Sequence, residues 1–337
     1  MSELTLPMAR FLAAIPLFAY VEPVELVDLL EWLRPVQLTA GQVLFREGTP
    51  GTCLWVLGPG VSLSVASSQG PGTRQIPVAE LHGGDTVGEM ALVDRGLRSA
   101  TATVLVGGGA YALDADAFQV LRGGFRPAAF KVLRRLALEL CARLRGTDDQ
   151  IVGRGPVHLA RPSVVPTAHP SPEDLDFFPA FSSLPAVVKV ALAQKLGELS
   201  YSEVQPVFAE GDAGDAAYFL VEGHVSVGRN GRTLARMNAG ELFGMVSVLD
   251  GGVRSASCVT EGRARLWRLS KTDFETLFRI GNRFAYHLVD VVVQQLVAHV
   301  RNANAMLSAG PLLEGVDTAL IFPSVEMMPR RLDMALG

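Results

Sequence analysis

A long internal repeat constrains this chain before anything else does. Pro16-Leu17-Phe18 is echoed at Pro179-Ala180-Phe181, and Val43-Leu44-Phe45-Arg46-Glu47-Gly48 returns as Pro206-Val207-Phe208-Ala209-Glu210-Gly211. These pairs stand 163 positions apart, as do Gly60 and Gly223. Further along the offset is 156: Gly88 matches Gly244, Arg98-Ser99-Ala100 matches Arg254-Ser255-Ala256, and Phe118 matches Phe274. The change of 7 places extra residues in the first copy, in the turn-rich run from Ser67 to Thr73. The second copy has Arg229-Asn230-Gly231-Arg232 there, and Asn-Gly is a strong hairpin signal. Two copies of roughly 130 residues are too large and too few for a solenoid. They read as two complete domains from a duplication, which suits a chain of 337 residues.

Within each copy the pattern is a helical segment followed by short strands. Val24 to Leu33 is helix-compatible, and Gln42–Phe45, Cys53–Leu57 and Val61–Val65 are strand candidates punctuated by glycine. Ala217–Val221 and His224–Val227 are their counterparts in the second copy. Many short strands with turn signals point to a sandwich or barrel. A run dense in proline (Pro156, Pro162, Pro166, Pro170, Pro172) resists helix and central strand, so residues 150–174 read as a linker. The domains are therefore expected at 1–149 and 175–307, with a tail of unassigned role at 308–337.

A helix follows each barrel. Val289, Val293, Leu296, Val300, Ala303 and Leu307 step by 4, 3, 4, 3 and 4, a heptad seam. Leu133, Leu136, Leu140 and Leu144 line a similar stripe in the first copy. Such a stripe either packs on its own barrel or pairs with another helix of its kind, within the chain or across a homodimer through residues 289–307.

The chemistry is concentrated in Gly83 to Val104, GGDTVGEMALVDRGLRSATATV. A short helix opening near a glycine can point backbone N–H groups at an anion. Arg98 offers a planar fork of donors matched to phosphate oxygens, and Ser99 a hydroxyl. Glu89 would repel a phosphate, so its presence makes sense as an acceptor for a sugar hydroxyl. The suggested ligand is a nucleotide with a free ribose hydroxyl and one compact phosphate.

The order Gly88-Glu89-Met90-Ala91-Leu92, then Arg98-Ser99-Ala100, resembles the phosphate-binding cassette of the cyclic-nucleotide-binding domain family. That family includes catabolite activator protein and the regulatory subunits of cyclic-AMP-dependent kinase. The resemblance implies an α+β, mainly β fold: two β-jelly-roll (double-stranded β-helix) domains, each with flanking helices. It also implies that the position of Glu89 holds the ribose 2′-hydroxyl and that of Arg98 the cyclic phosphate. The small residues at Ala91, Ser99 and Ala100 would add backbone or hydroxyl contacts. The expected ligand site is thus Val87, Gly88, Glu89, Met90, Ala91, Arg98, Ser99 and Ala100. A second, degenerate site is Gly244, Met245, Val246, Ser247, Arg254, Ser255 and Ala256, where the arginine stays and Met245 replaces the carboxylate.

Other chemistries find little support. The six histidines include no close pair on one strand of the kind a jelly-roll metal site needs, so no metal is expected. No nucleophile-elbow pattern surrounds a serine. Gly107-Gly108-Gly109 lacks a following Lys-Ser or Lys-Thr and reads as a turn between strands. Three widely spaced cysteines (Cys53, Cys141, Cys258) fit a reducing cytoplasm. Pro16 interrupts the apolar run from Phe11 to Tyr20, and Asp290, Gln294 and Gln295 interrupt that from Tyr286 to Val300. Neither reads as a signal or a membrane span. A net charge of -4 gives no general reason to expect nucleic acid. Transcription factors of the family place a winged helix of roughly 70 residues after the long helix, and Ser308 to Gly337 does not read as one. No specific DNA binding is expected.

These features lead to the expectation of a cytoplasmic, non-enzymatic sensor without a cofactor. It would bind cAMP or cGMP mainly in the first domain and signal through an unidentified protein partner. The alternative is a scaffold that keeps the fold for protein contacts and has lost ligand control.

Overall fold

A computed structural model describes residues 5–68, 75–152, 165–182, 184–230, 232–277 and 283–309. The predicted insertion beyond Ser68 and the tail beyond Ala309 lie outside the described residues. The chain divides into two units. The first comprises Met1–Gly153 with Phe274–Leu312, and the second takes Arg154–Asp273.

The first unit opens with helices α1 (Thr5–Ala13) and α2 (Pro23–Leu30). Proline at its first position and a reciprocal capping box between Glu22 and Glu25 set where α2 begins. Eight strands follow: β1 (Leu33–Leu38), β2 (Val43–Phe45), β3 (Cys53–Leu57), β4 (Ser62–Ser68), β5 (Gln75–His82), β6 (Thr86–Val87), β7 (Thr101–Val106) and β8 (Gly108–Asp114). A four-residue helix, α3 (Ala91–Asp94), lies between β6 and β7. Helices α4 (Ala115–Gly123) and α5 (Pro127–Val152) close the run.

The second unit repeats this order. Helices α6 (Pro179–Ser182) and α7 (Ala186–Ala193) precede β9 (Leu196–Tyr201), β10 (Pro206–Phe208), β11 (Ala216–Glu222), β12 (His224–Arg229), β13 (Arg232–Asn238) and β14 (Leu242–Phe243). Then come α8 (Met245–Asp250), β15 (Ser257–Thr260), β16 (Ala264–Ser270) and α9 (Lys271–Leu277). Helix α10 (Arg283–Ala309) follows in sequence and belongs to the first unit.

Among the described residues each unit holds two four-stranded antiparallel sheets with the same strand order. The first has β1-β8-β3-β6 and β2-β7-β4-β5; the second has β9-β16-β11-β14 and β10-β15-β12-β13. Both sheets of a unit feed one core: Leu57 and Ala110 meet Leu63 and Val104 in the first, Leu220 and Leu266 meet Val225 and Cys258 in the second. These are the two jelly-roll domains with flanking helices that the resemblance implied. The predicted Cys53–Leu57 strand is β3 residue for residue; of the expected Gly107-Gly108-Gly109 turn only Gly107 lies between β7 and β8, because Gly108 and Gly109 pair with Leu38 and Gln37 as the start of β8. At the β12–β13 hairpin Asn230 takes φ 49°, which asparagine tolerates better than most residues.

Two boundaries differ from expectation. The proline-rich segment is docked at its end: Thr167 N–H donates to Glu198 O at 3.0 Å and Glu198 N–H to Ala168 O at 2.8 Å, adding a bridge to the edge of β9. The larger difference is α10. The sequence places residues 289–307 at the end of a 175–307 domain, but α10 packs along α5 in the first unit. Leu133, Leu136, Leu140 and Leu144 of α5 are buried, as are Val289, Val293, Leu296 and Val300 of α10. The physical reason is that each helix carries an apolar stripe, and pairing removes both from water at about 25 cal/mol per Å². A half-buried Arg122–Asp290 ion pair ties α4 to α10, and Tyr286 packs edge-on against Phe125 at 5.5 Å. The seam is therefore covered by α5 of the same chain. Among the described residues no helix is long and apolar enough to cross a membrane.

Candidate functional site

The first cassette is built on the β6–α3 turn. Gly88 has φ 84°, and a Cβ there would lie 2.1 Å from Arg98 Nη1. Only glycine fits on both counts. Backbone bonds hold the arginine segment against the opposite loop: Arg98 N–H donates to Thr49 O at 2.8 Å, Gly48 N–H to Arg98 O at 2.9 Å, and Gly51 N–H to Gly96 O at 2.9 Å. A Cβ on Gly51 would sit 2.6 Å from that of Ala91, so the small pair lets α3 approach the barrel.

Arg98 is 7% exposed. Its Nη2 donates to Cys53 O at 2.7 Å and Nη1 to Gly88 O at 3.2 Å, with the guanidinium 4.2 Å from the Phe45 ring centre. Nε is buried without a partner, and among the described residues no carboxylate is bonded to this guanidinium. Burial pulls its proton affinity below the usual arginine range; the nearby Cys53 and Glu89 oppose this, and Arg301 reinforces it. Trp55 carries a second buried, unpartnered donor at Nε1 in the same barrel. A buried cation with a spare donor and only carbonyl and thiol partners is suited to receive a compact anion.

Glu89 stands near Arg98 but is engaged by a helix residue. Its side chain is 7% exposed and ion-paired with Arg143 of α5. A neighbouring α5 carboxyl, Glu139, is pushed up by burial and by Glu89, against the pull of Arg135. Val87, Met90 and Ala91 are buried beneath the cassette, while Ser99 is exposed and Ala100 half-buried. The structure thus brings Gly88, Glu89, Ala91 and Arg98 together. Ser99 meets the rest of the barrel through its carbonyl, which accepts from Ser67 Oγ at 3.4 Å. Sequence reasoning missed Arg143, since nothing local marks which α5 residue will face Glu89.

The second cassette keeps the scaffold and changes the chemistry. Gly244 has φ 74°, its Cβ position lying 2.8 Å from Arg254 Nη1, and Arg254 N–H donates to Asp212 O. Arg254 is 2% exposed, and both of its Nη atoms are engaged while Nε is buried without a partner, as in Arg98. Nη1 donates to Gly244 O at 2.7 Å and Ser247 Oγ at 2.9 Å; Nη2 donates to Ala216 O at 2.7 Å and to the Asp215 carboxylate at 2.9 Å. Asp215 falls where the first copy has Thr52, and no motif flags it. Comparing the copies position by position would have found it. Phe208 and Tyr218 flank the arginine, and Phe243 stacks on Tyr218 at 5.3 Å and 17°. The first copy has Phe45, Trp55 and Val87 at these places. Met245 is buried at the start of α8. Ser255 follows the arginine, while Val246 and Ala256 complete the expected set.

The Asp215–Arg254 contact has a pH signature. Burial raises the Asp215 carboxyl, but Arg268 and Arg254 outweigh it and hold the group below the usual carboxylate value. A depressed carboxyl contributes stability above its unfolded value of about 3.9 and loses it as pH falls through the folded value. Below pH about 4 the stability gap between wild type and Asp215→Asn is expected to shrink, and at neutral pH to be widest. Thermal melts of both proteins at pH 3 to 7 would check this.

Comparison with known proteins accounts for the repeated architecture. The cyclic nucleotide-binding domain family matches residues 35–122 and 198–280. The chain belongs to this family. A cyclic AMP receptor protein of Thermus thermophilus is 36% identical over 124 residues, covering 35% of this chain and 57% of that protein. A cAMP-dependent protein kinase regulatory subunit of Blastocladiella emersonii is 21% identical over 266 residues, 77% of this chain and 56% of that one. The chain therefore spans little more than half the length of these relatives. Among solved structures, the cAMP-bound regulatory domain of Toxoplasma gondii PKA is 19% identical, with a TM-score of 0.34, covering 84% of this chain and 95% of that one.

Proposed function

We propose that this protein is a cyclic-nucleotide-responsive regulator whose first domain binds cAMP or cGMP, and whose second domain serves as a structural or protein-contact module. The observation that carries the reading is the contrast between two equivalent arginines. Both keep a buried, unpartnered Nε, but among the described residues Arg98 bonds only Cys53 and the Gly88 carbonyl, whereas Arg254 already holds an internal carboxylate. In the first site the cyclic phosphate would take Arg98, and Glu89, shared with Arg143, would accept from the ribose hydroxyl. Two relatives are named for cAMP, which favours it as the first ligand to test. The output would be regulatory rather than catalytic, in the cytoplasm, through a partner protein and without specific DNA binding.

A scaffold reading is favoured for the second domain alone. Asp215 neutralises the phosphate-binding charge, and Tyr218 and Phe243 fill space beside it. Met245 could offer a ribose hydroxyl only a weakly accepting thioether. Calorimetric titration of the full chain with cAMP and with cGMP is expected to give one site per chain. Met245→Glu alone should add no second site, because Arg254 stays engaged by Asp215; the pair Asp215→Thr with Met245→Glu should begin to. Two equal sites in the wild type would refute the inequality, and no binding of either nucleotide would leave the scaffold reading for both domains.

A further inference from the structure

We propose that Arg301, on the helix the repeat assigns to the second copy, is a positioning residue for the nucleotide site of the first domain. The proposal rests on the reading of that site given above. Within the first unit, α10 reaches the cassette loop between α3 and Arg98. Arg301 Nε donates to Asp94 Oδ2 at 2.7 Å and Nη2 to Asp94 Oδ1 at 3.1 Å, a two-point carboxylate grip, while Nη1 donates to Leu97 O. Leu97 is the residue before Arg98. The same loop is tied on its other side through Gly96 O to Gly51 N–H.

Gly96 records the fit. A Cβ there would lie 2.8 Å from Arg301 Nη2 and 2.7 Å from Asp94 Oδ2, so the loop is shaped to admit this guanidinium. Asp94 is also held from within, accepting from Gly96 N–H at 2.8 Å. Arg301 is close enough to Arg98 to disfavour its protonated form. It thus adds positive potential beside the place where a phosphate would bind, and an incoming anion would relieve that repulsion. The loop geometry that aims Arg98 is completed by a side chain more than 200 residues away. By linkage, whatever affinity this grip adds for the nucleotide, the nucleotide adds equally to the docking of α10. Ligand in the first cassette would therefore tighten the helix that leads out of the second copy.

The test uses the full chain with cAMP and cGMP as probes. Arg301→Gln is expected to weaken binding about tenfold, and Asp94→Asn to do so by a similar factor. The double variant should be no weaker than Arg301→Gln alone, since that variant already removes the contact Asp94 makes. The exchange Asp94→Arg with Arg301→Asp should restore an ion pair but not the affinity, because a carboxylate at 301 has no donor for Leu97 O. Hydrogen exchange supplies a readout that a merely structural role would not move. Nucleotide should raise protection across residues 285–304 of α10 in the wild type and not in Arg301→Gln. Wild-type binding with affinity unchanged within twofold in both single variants would overturn this inference and leave the site reading intact. Failure of the wild type to bind either nucleotide would overturn both.

Discussion

Arg98→Ala is expected to abolish most nucleotide binding, by at least tenfold and up to roughly a hundredfold. A charge-assisted contact to phosphate contributes about 1.5–3 kcal/mol, or one to two decades of affinity. Arg98 is also the partner of Cys53 O and Gly88 O, so truncation leaves two carbonyls to find other donors inside the barrel. That adds a stability loss of about 1–3 kcal/mol per stranded group. The two effects separate experimentally: calorimetry at saturating protein stability reports the first, urea unfolding without nucleotide the second. Arg98→Lys makes the control. It keeps the charge and loses the planar fork, so it should recover part of the stability and little of the affinity. Equal affinity in wild type and Arg98→Ala would reject the site.

Leu296→Ala is expected to cost about 2–4 kcal/mol in the unfolding of the first unit, within the range for a buried leucine whose cavity only partly collapses. Leu296 lies in the middle of the α10 seam, 2% exposed, in the helix pair that α10 forms with α5. Because the seam is filled by the same chain, the oligomeric state should not change. This also means that a fragment ending near residue 149 would expose Leu133, Leu136 and Leu140 on α5, so nucleotide affinity is better measured on the whole chain. Urea unfolding together with light scattering would check the expectation. A loss below about 0.5 kcal/mol, accompanied by a shift from dimer to monomer, would show α10 pairing with a second copy in solution instead.

These two residues differ in how visible they were. Arg98 was legible because the groups that define its role are close in sequence. Gly88 must be glycine for an arginine ten residues on, and the same spacing recurs at Gly244 and Arg254. Leu296 was legible as a member of an apolar stripe but not as a partner of α5. A heptad states that a face will be buried, and any complementary stripe can satisfy it. The same limit applies to charge. Arg143, Asp215 and Arg301 stand among many ionisable residues, and nothing in their neighbours ranks them above the others.

The sequence by itself determined the duplication, the barrel strands, the linker composition and the two arginine cassettes. Each is written in local periodicity, turn chemistry or short spacing, which act through the chain's own backbone geometry. Only the tertiary structure decided that α10 closes on the first unit, that Asp215 occupies the second arginine, and that Arg301 grips the loop before Arg98. Those outcomes depend on which buried charges and apolar faces come within a few ångströms of each other across tens to hundreds of residues. Burial makes an unmatched charge or an uncovered stripe costly, and the packed fold selects the partner that removes that cost.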